Sequence, residues 1–486
     1  MFVTVLLAIV TLILIIYLVV GRNTREAPPG PFSWPFFGNQ FLLKRLTREL
    51  GGQAKAFLEL SKRYASDVIT VTIGNEKVFV VSGFKLCDTV LKSDEFDGRP
   101  WNEFIKIRNM GKKQGITMND GTEWKILRNW MMQTMKNFGF GKHEMAEMIR
   151  NELIILLDNM NKTGPLRFKV LITRPVLNVL WFLTSGQAFG ASINYFGDLL
   201  ERRAQVFDMT GGFLNAFPWI RYIAPELSGY NLLCTLNNEL KDFLMKIIIE
   251  HRKNYKPGNE ADVIDMFFNE MKNNEESNVF TDEQLVALLV DIFIAGSTTT
   301  STTLDFLFSS MIVYQDVQRK VQEEIDSMIP RDRLPEIEDR AKLPYVEAVI
   351  NEVFRLWPVF PIIGPRRVLH NTVLDKYTIP KDATVLLNLY SINKDPNVFP
   401  EPDKFMPERF MKNGTYEPNT YTLHFGKGRR RCPGEVLAKS SIFVLFVGVM
   451  QKYSLFPIPG KGPYSVKVNY GLTTSPKRYE ALVTPR

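Results

Sequence analysis

The sequence predicts a mainly α-helical chain with small antiparallel β-sheets and an N-terminal transmembrane helix. Three observations predict it. Met1 to Val20 contain no charged residue. A helical pattern opened by Thr281-Asp282-Glu283-Gln284 runs without proline to about Val313. The strand-like runs are few and short, the first being Val68 to Ile73 and Val78 to Ser82 around Gly74-Asn75-Glu76-Lys77.

Twenty residues in helix rise about 30 Å, the thickness of a bilayer core. No basic segment precedes the apolar run, no small-x-small cleavage site follows it, and it is longer than the apolar part of most signal peptides. Residues 1–20 are therefore read as a membrane anchor in preference to a cleaved signal. Arg22 and Arg25 follow, so the positive-inside rule puts the rest of the chain in the cytoplasm. Residues 21–40 hold Pro28-Pro29-Gly30-Pro31, Pro35 and Gly38, which form a semi-rigid neck. Residues 41–486 read as one large domain, because no Gly/Ser linker, repeat or low-complexity tract divides them.

With 45% hydrophobic residues and 35 Phe the chain can bury a sizeable core. Cys87, Cys234 and Cys432 are too few and too scattered for a disulfide framework or a four-ligand zinc site. The sequence has no C-x-x-C-H, which excludes covalently attached c-type haem. A net charge of +8 and a pI near 9.1 suit an anionic membrane surface or an acidic protein partner. Charge alone would also allow nucleic acid, but no binding motif accompanies it and none is expected.

In chain order, the first two strands form a hairpin that starts a small sheet. The text from Leu91 to Gly121 is irregular, broken by Gly98, Pro100, Gly111 and Gly115. Trp124 and Arg128 then sit four apart, on one face of a helix. Glu144 to Lys256 read as several helices broken at Gly164-Pro165, Gly211-Gly212 and Pro225, with a mobile connection from Phe207 to Tyr222.

The capping box at Thr281 opens a helix of about 50 Å. Midway along it lies Ala295-Gly296-Ser297-Thr298-Thr299-Thr300. Glycine costs about 1 kcal/mol inside a helix, and Ser and Thr compete for its backbone hydrogen bonds, so this stretch needs a reason to be there. Leu343-Pro344 opens a short helix ending by Pro358, with Glu352 and Arg355 on one face. Thr384 to Tyr390 read as a strand, and a turn at Ser475-Pro476 joins two further strand-like runs. His143, His251, His370 and His424 form no ligand cluster.

The densest chemistry is in Phe425-Gly426-Lys427-Gly428-Arg429-Arg430-Arg431-Cys432-Pro433-Gly434, just ahead of an apolar helix. Guanidinium groups and a helix N-terminus both favour thiolate, so the Cys432 thiol is expected to ionise easily. A thiolate is a nucleophile or a metal ligand. Gly428 and Gly434 would let the backbone approach something flat, and Pro433 removes an N–H where loop meets helix.

The spacing F-x-x-G-x-R-x-C-x-G resembles the haem-binding loop of the cytochrome P450 monooxygenases, and the resemblance extends over nearly the whole chain. It implies the cytochrome P450 fold and noncovalent haem b, with Cys432 as the iron ligand. Phe425 would flank the haem, and Trp124, Arg128, Arg366 and Arg430 would serve its propionates. Thr299 would be the alcohol that hands protons to the oxygen chemistry, and Thr298 stands where the family carries an acid. Glu352 and Arg355 would join Arg409 of Pro407-Glu408-Arg409-Phe410 in a structural triad. Phe104, Ile116, Ile294, Ala295, Val359, Ile362, Ile363 and Thr473 would line the substrate pocket.

The same resemblance implies a monooxygenase that inserts one atom of O2 into a lipophilic small molecule, by hydroxylation or epoxidation of a terpenoid, steroid or xenobiotic. The chain has no G-x-G-x-x-G unit or flavin motif, so electrons would come from NADPH through a flavoprotein reductase, docked by Lys427, Arg429 and Lys439. The anchor, neck and Asn137-Phe138-Gly139-Phe140-Gly141 look like animal microsomal members, particularly the insect branch related to vertebrate drug and steroid hydroxylases. The location implied is the endoplasmic reticulum membrane, catalytic domain on the cytoplasmic face.

Thr298 departs from the family pattern. Without a carboxyl group there, water held by Ser297, Thr298 and Thr299 would have to conduct protons, with more leakage to peroxide, or the substrate would supply a group. Two other classes stay open: a haem-thiolate isomerase or dehydratase that needs no reductase, toward which this departure points, and a non-catalytic haem-binding protein.

Overall fold

A 32-residue helix, Asp282–Val313, runs through the middle of the protein and organises everything around it. The structure is a computed structural model that describes residues 27–161, 165–187, 189–274 and 278–486, together with Thr11. The expected transmembrane helix, with Arg22, Arg25 and Gly164, lies outside the described residues. The principal helices are α1 (Gln40–Leu50), α2 (Gln53–Arg63), α3 (Gly121–Asn137), α4 (His143–Met160), α5 (Phe168–Ser185), α6 (Ile193–Ala216), α7 (Tyr230–Asn254), α8 (Val263–Asn273), α9 (Asp282–Val313), α10 (Gln315–Met328), α11 (Pro344–Leu356) and α12 (Glu435–Lys452).

Helix α9 starts where its capping residue predicts, the Gln284 amide donating to the Thr281 hydroxyl at 3.2 Å. At about 1.5 Å per residue it is about 48 Å long. It is apolar enough to cross a membrane by composition, yet it is the core helix of the domain, buried along most of its length. Helices α5 and α12 pack directly on it. Gly296 is part of the reason: a Cβ there would lie 2.7 Å from Leu180 Cδ1, so the glycine lets α5 approach closely.

The sheet strands are β1 (Val68–Ile73), β2 (Glu76–Val81), β3 (Ile362–Arg367) and β4 (Thr384–Asn388), ordered β1-β2-β4-β3. Alternation sets the faces. Ile69, Val71, Val78 and Val80 meet Leu43, Leu46, Phe57 and Leu60 of α1 and α2, while Val68, Phe79, Val81, Val385 and Leu387 face a second cluster.

This sheet is mixed, which corrects the expectation of antiparallel sheets alone: β2 pairs with β4 in parallel. No short turn joins β2 to β4, so their direction is free of the hairpin constraint that fixes β1 against β2. The smaller two-stranded sheets are antiparallel, among them Val468–Tyr470 with Thr474–Pro476. There the turn is at residues 471–473, and Ser475-Pro476 lie in a strand, because proline is tolerated on a sheet edge.

Two helix boundaries also differ from the sequence reading. Helix α6 continues through Gly211-Gly212 to Ala216, because Phe207 and Leu214 on either side are held in one cluster with Phe104 and Met118. The connection to α7 is thus residues 217–229, carrying a single helical turn at Ile220–Ile223.

Candidate functional site

The cysteine loop is folded by two left-handed glycines and one backbone hydrogen bond. Gly426 and Gly428 have φ of 69° and 68°. A Cβ on Gly428 would fall 2.3 Å from the Leu91 carbonyl oxygen, so the close approach this glycine permits is to the protein's own backbone. The Cys432 amide donates to the Phe425 carbonyl at 2.8 Å, which closes the loop. Gly434 has the opposite character: a Cβ there would meet nothing within 4 Å, and the residue lines a cavity.

That cavity, of about 230 Å³, is where the site assembles. Cys432 forms part of its floor, with Thr299 and Ala295 from α9, Met131 and Met135 from α3, Leu180 from α5, and Ile116 and Phe425 around them. Most of the wall is apolar.

The thiol does not behave as the sequence suggested. Burial pushes the Cys432 pKa up, and the hydrogen bond from the Gly434 amide and the charge of Arg128 do not overcome it. Two of the three loop arginines are held by other groups. Arg429 pairs with Asp94 at 2.5 Å, and Arg430 donates to the carbonyls of Asp97 and Asn119 at 2.6 and 2.9 Å. A metal bound to this sulfur would favour the thiolate over the thiol.

Beside the cavity the chain concentrates cations. Arg99, Arg128 and Arg430 line it, and Arg366 lies behind them, 1% exposed and paired with Asp97 Oδ1 at 3.0 Å. Burial lowers the pKa of all four; Arg99 is held well below the usual arginine range and Arg430 is brought to about 9, both also repelled by Arg366. Arg366 Nε is buried without a hydrogen-bond partner among the described residues. Asp97 is the nearby anion, and burial raises its own pKa.

Four guanidinium groups, an orphaned donor, an apolar wall and a thiol suit a flat apolar ligand that carries two carboxylates and a metal. An iron porphyrin has that make-up, and these residues fit it.

Trp124 is buried behind this cluster and does not line the cavity. Its indole N–H donates to the Ile116 carbonyl at 3.1 Å, and Arg430 lies over its ring. Arg128 is held by a 2.6 Å bond to the Arg431 carbonyl. Arg99 went unread in the sequence, since an isolated arginine in the irregular 91–121 segment carries no periodic signal. Asp291 was also missed: it lines the cavity and accepts from the amides of Ile116 and Thr117 at 2.8 Å each, which ties that segment to α9.

The hydroxyl stretch of α9 divides between two sides. Thr299 and Thr300 face the cysteine cavity, whereas Ser297 and Thr298 line a second cavity on another face of the helix. Thr299 donates to the Ala295 carbonyl at 2.7 Å and Ser297 to that of Phe293 at 2.6 Å, the competition with backbone bonding anticipated from their types.

Of the other pocket candidates, Ile116 and Ala295 line the cysteine cavity, and the rest do not. Phe104 stacks on Phe207 at 4.9 Å, Ile294 packs against the main core, and Ile362 and Ile363 pack on opposite faces of the mixed sheet. Val359 is buried with its carbonyl bonded to Thr474, and Thr473 faces the second cavity. Residue type alone could not separate wall from core.

Glu352, Arg355 and Arg409 do meet. Arg355 binds both oxygens of Glu352 at 2.7 and 2.8 Å, and Arg409 reaches Glu352 at 3.1 Å. Arg355 also donates to the carbonyls of Asn393, Pro402 and Lys404. The ion cluster thus clamps residues 393–409, the segment that leads to the cysteine loop. His424, just ahead of the loop, stacks on Phe354 at 4.2 Å, and burial takes its pKa down to about 3, so it is neutral.

The family model described as cytochrome P450 matches residues 28–483. The chain is 36% identical to the probable cytochrome P450 305a1 of Drosophila melanogaster, over 96% of this chain and 95% of that protein. It is 32% identical to the farnesoate epoxidase of Bombyx mori, over 99% of both. It is 33% identical to cytochrome P450 2J1 of Oryctolagus cuniculus, over 99% of this chain and 96% of that protein.

Proposed function

The chain belongs to the cytochrome P450 family and is a haem-dependent monooxygenase; from that premise we propose that it hydroxylates or epoxidises a lipophilic terpenoid, steroid or xenobiotic. The observation that carries this reading is the convergence of Cys432, Thr299 and the arginine cluster on one mostly apolar cavity. Cys432 would hold the iron, Arg99, Arg128, Arg366 and Arg430 the propionates, with Trp124 backing Arg430. Haem, when bound, supplies dioxygen activation at a thiolate-ligated iron.

The chain's own residues then have three tasks. Ile116, Ala295, Leu180 and Ile292 give the substrate an apolar wall and exclude water. Thr299 holds a hydroxyl proton at the cavity surface, available once it leaves the Ala295 carbonyl. Glu352, Arg355 and Arg409 keep the approach to the cysteine loop rigid.

Electrons would come from NADPH through a flavoprotein reductase. Lys427, Arg429 and Lys439, expected to dock it, are each already paired with Asp88, Asp94 and Glu435. Exposed Lys125, Lys136 and Lys142, which make no ion pair among the described residues, are the better docking charges. An endoplasmic reticulum location with an N-terminal anchor at residues 1–20 agrees with the exposed aromatic surface near the neck. Trp34, Phe36, Phe37 and Phe41 lie exposed there, Phe37 touches Phe217 at 5.8 Å, and Trp219, Tyr222 and Ile223 continue the patch.

Farnesoate epoxidase is named for an isoprenoid carboxylate, which makes unsaturated terpenoids the first substrates to try. The test is turnover by membranes holding the protein and a reductase, with NADPH and a panel of terpenoids, steroids and xenobiotics. Oxygenated product that requires both NADPH and reductase supports the reading. Product formed without either would instead support an isomerase or dehydratase.

A further inference from the structure

The second cavity, of about 120 Å³, lies against α9 behind Thr298. The spacing of its α9 residues, Ser297, Thr298, Ser301 and Thr302, puts them on a different face from Ala295, Thr299 and Thr300 of the cysteine cavity. The α9 hydroxyls thus span the helix from one cavity to the other.

Three charged groups line this second cavity, each from a helix that encloses it: Lys169 of α5, and Glu201 and Asp208 of α6. Lys169 is committed, donating to the Ser301 hydroxyl at 3.1 Å and the Thr302 hydroxyl at 3.0 Å. Glu201 lies at the solvent end and is exposed. Asp208 is half-buried, and its Oδ2 accepts from the Thr473 hydroxyl at 3.1 Å. No cation pairs with Asp208 among the described residues. Burial raises its pKa, while the bonds from the hydroxyl and amide of Thr473 oppose the rise. A polar cavity of this volume can hold water that bridges such groups.

We propose that Asp208 positions the proton that the chain cannot place at Thr298, supplying it through cavity water to the Thr298–Thr299 turn. The inference rests on the monooxygenase reading above. In the step, the Asp208 O–H bond breaks and its proton passes to a cavity water. That water gives one of its own protons to the Thr298 hydroxyl oxygen as the Thr298 hydroxyl proton passes through a bridging water to the Thr299 hydroxyl oxygen, whose own proton leaves the Ala295 carbonyl and is released into the cysteine cavity. The Asp208 carboxylate regains a proton from solvent at the Glu201 end. No electron moves, and the net change is one proton carried inward.

Asp305 is the competing carboxyl group. It is 5% exposed and bonded to the Tyr479 hydroxyl at 2.8 Å, but it does not line this cavity. The test compares Asp208→Asn, Asp208→Glu, Asp305→Asn and Thr298→Val in the full-length protein. One readout is the infrared band of a protonated carboxyl group followed against pH, and the other is hydrogen peroxide released per NADPH with reductase.

The expected result has three parts. Asp208→Asn loses one titrating carboxyl band and raises peroxide several-fold, and Asp208→Glu restores both. Thr298→Val raises peroxide while keeping the band. Asp305→Asn leaves the peroxide ratio alone. Unchanged peroxide in Asp208→Asn, or an equal rise in Asp305→Asn, overturns the proposal. If Asp208→Asn does not fold, unchanged peroxide in Thr298→Val overturns it as well. The reduced carbon monoxide spectrum of each protein separates the two readings, because loss of a thiolate-type band in the parent protein defeats the monooxygenase site itself, whereas an intact band with unchanged coupling defeats only the role of Asp208.

Discussion

Arg430 places its guanidinium carbon 3.5 Å from the centre of the Trp124 ring. The stack fixes a half-buried cation at the rim of the cysteine cavity, where its planar fork has two carbonyls on one side and the ligand space on the other. Loss of a charged hydrogen bond costs about 1.5–3 kcal/mol, so Arg430→Gln is expected to weaken haem retention about 10- to 150-fold. Arg430→Lys should recover only part of this, since lysine cannot reproduce the stacked fork. The rate of haem transfer to excess apo-globin measures both.

Glu352 has no exposure and accepts from two arginines and from the Met406 amide. Removing one partner of a buried ion cluster leaves uncompensated charge, which costs about 3–5 kcal/mol. Glu352→Gln should lower the denaturant midpoint accordingly and reduce the haem content of purified protein. A midpoint within error of the parent would remove the clamp from the account.

Asp305 is raised by burial to about 6, against the opposing charge of Lys169 and the hydrogen bond from Tyr479. Its folded pKa therefore lies above the unfolded value of about 3.9. A raised carboxyl group favours the folded state fully below the unfolded pKa, and that contribution is lost as pH rises through the folded pKa. The expected loss is about 3 kcal/mol between about pH 4 and 6. Asp305→Asn should flatten that part of the stability–pH curve, as followed by thermal unfolding.

Thr299→Ala removes the hydroxyl that faces the cysteine cavity. Peroxide released per NADPH should rise and product per NADPH fall, with substrate binding little changed. Unchanged coupling would take Thr299 out of proton delivery.

How much of this was legible beforehand differs by residue for physical reasons. The Thr281 half of the α9 cap, the proline-led α11 and the Glu352–Arg355 pair follow local rules that act within one helical turn and form as read, whereas Gln284, expected to complete a capping box, turns its Oε1 to the Gly115 amide at 3.4 Å. The ion cluster's third member, Arg409, and the cysteine spacing came through family resemblance. Cys432 acidity was misjudged because sequence lists the neighbouring arginines but not what holds them, and burial wins with two of them held by Asp94, Asp97 and Asn119. Thr473 was assigned to the wrong cavity, since only tertiary structure separates the two sides of α9. The parallel pairing of β2 with β4 joins segments some 300 residues apart, a distance that no local pattern reports.

The proposed site depends on a sulfur–iron bond at Cys432, which the absorption spectrum of the reduced protein with carbon monoxide reports directly. A Soret band shifted far to the red in the parent protein, and absent from Cys432→Ala, is the expected result. No such band in the intact protein, or its survival in Cys432→Ala, would contradict the account.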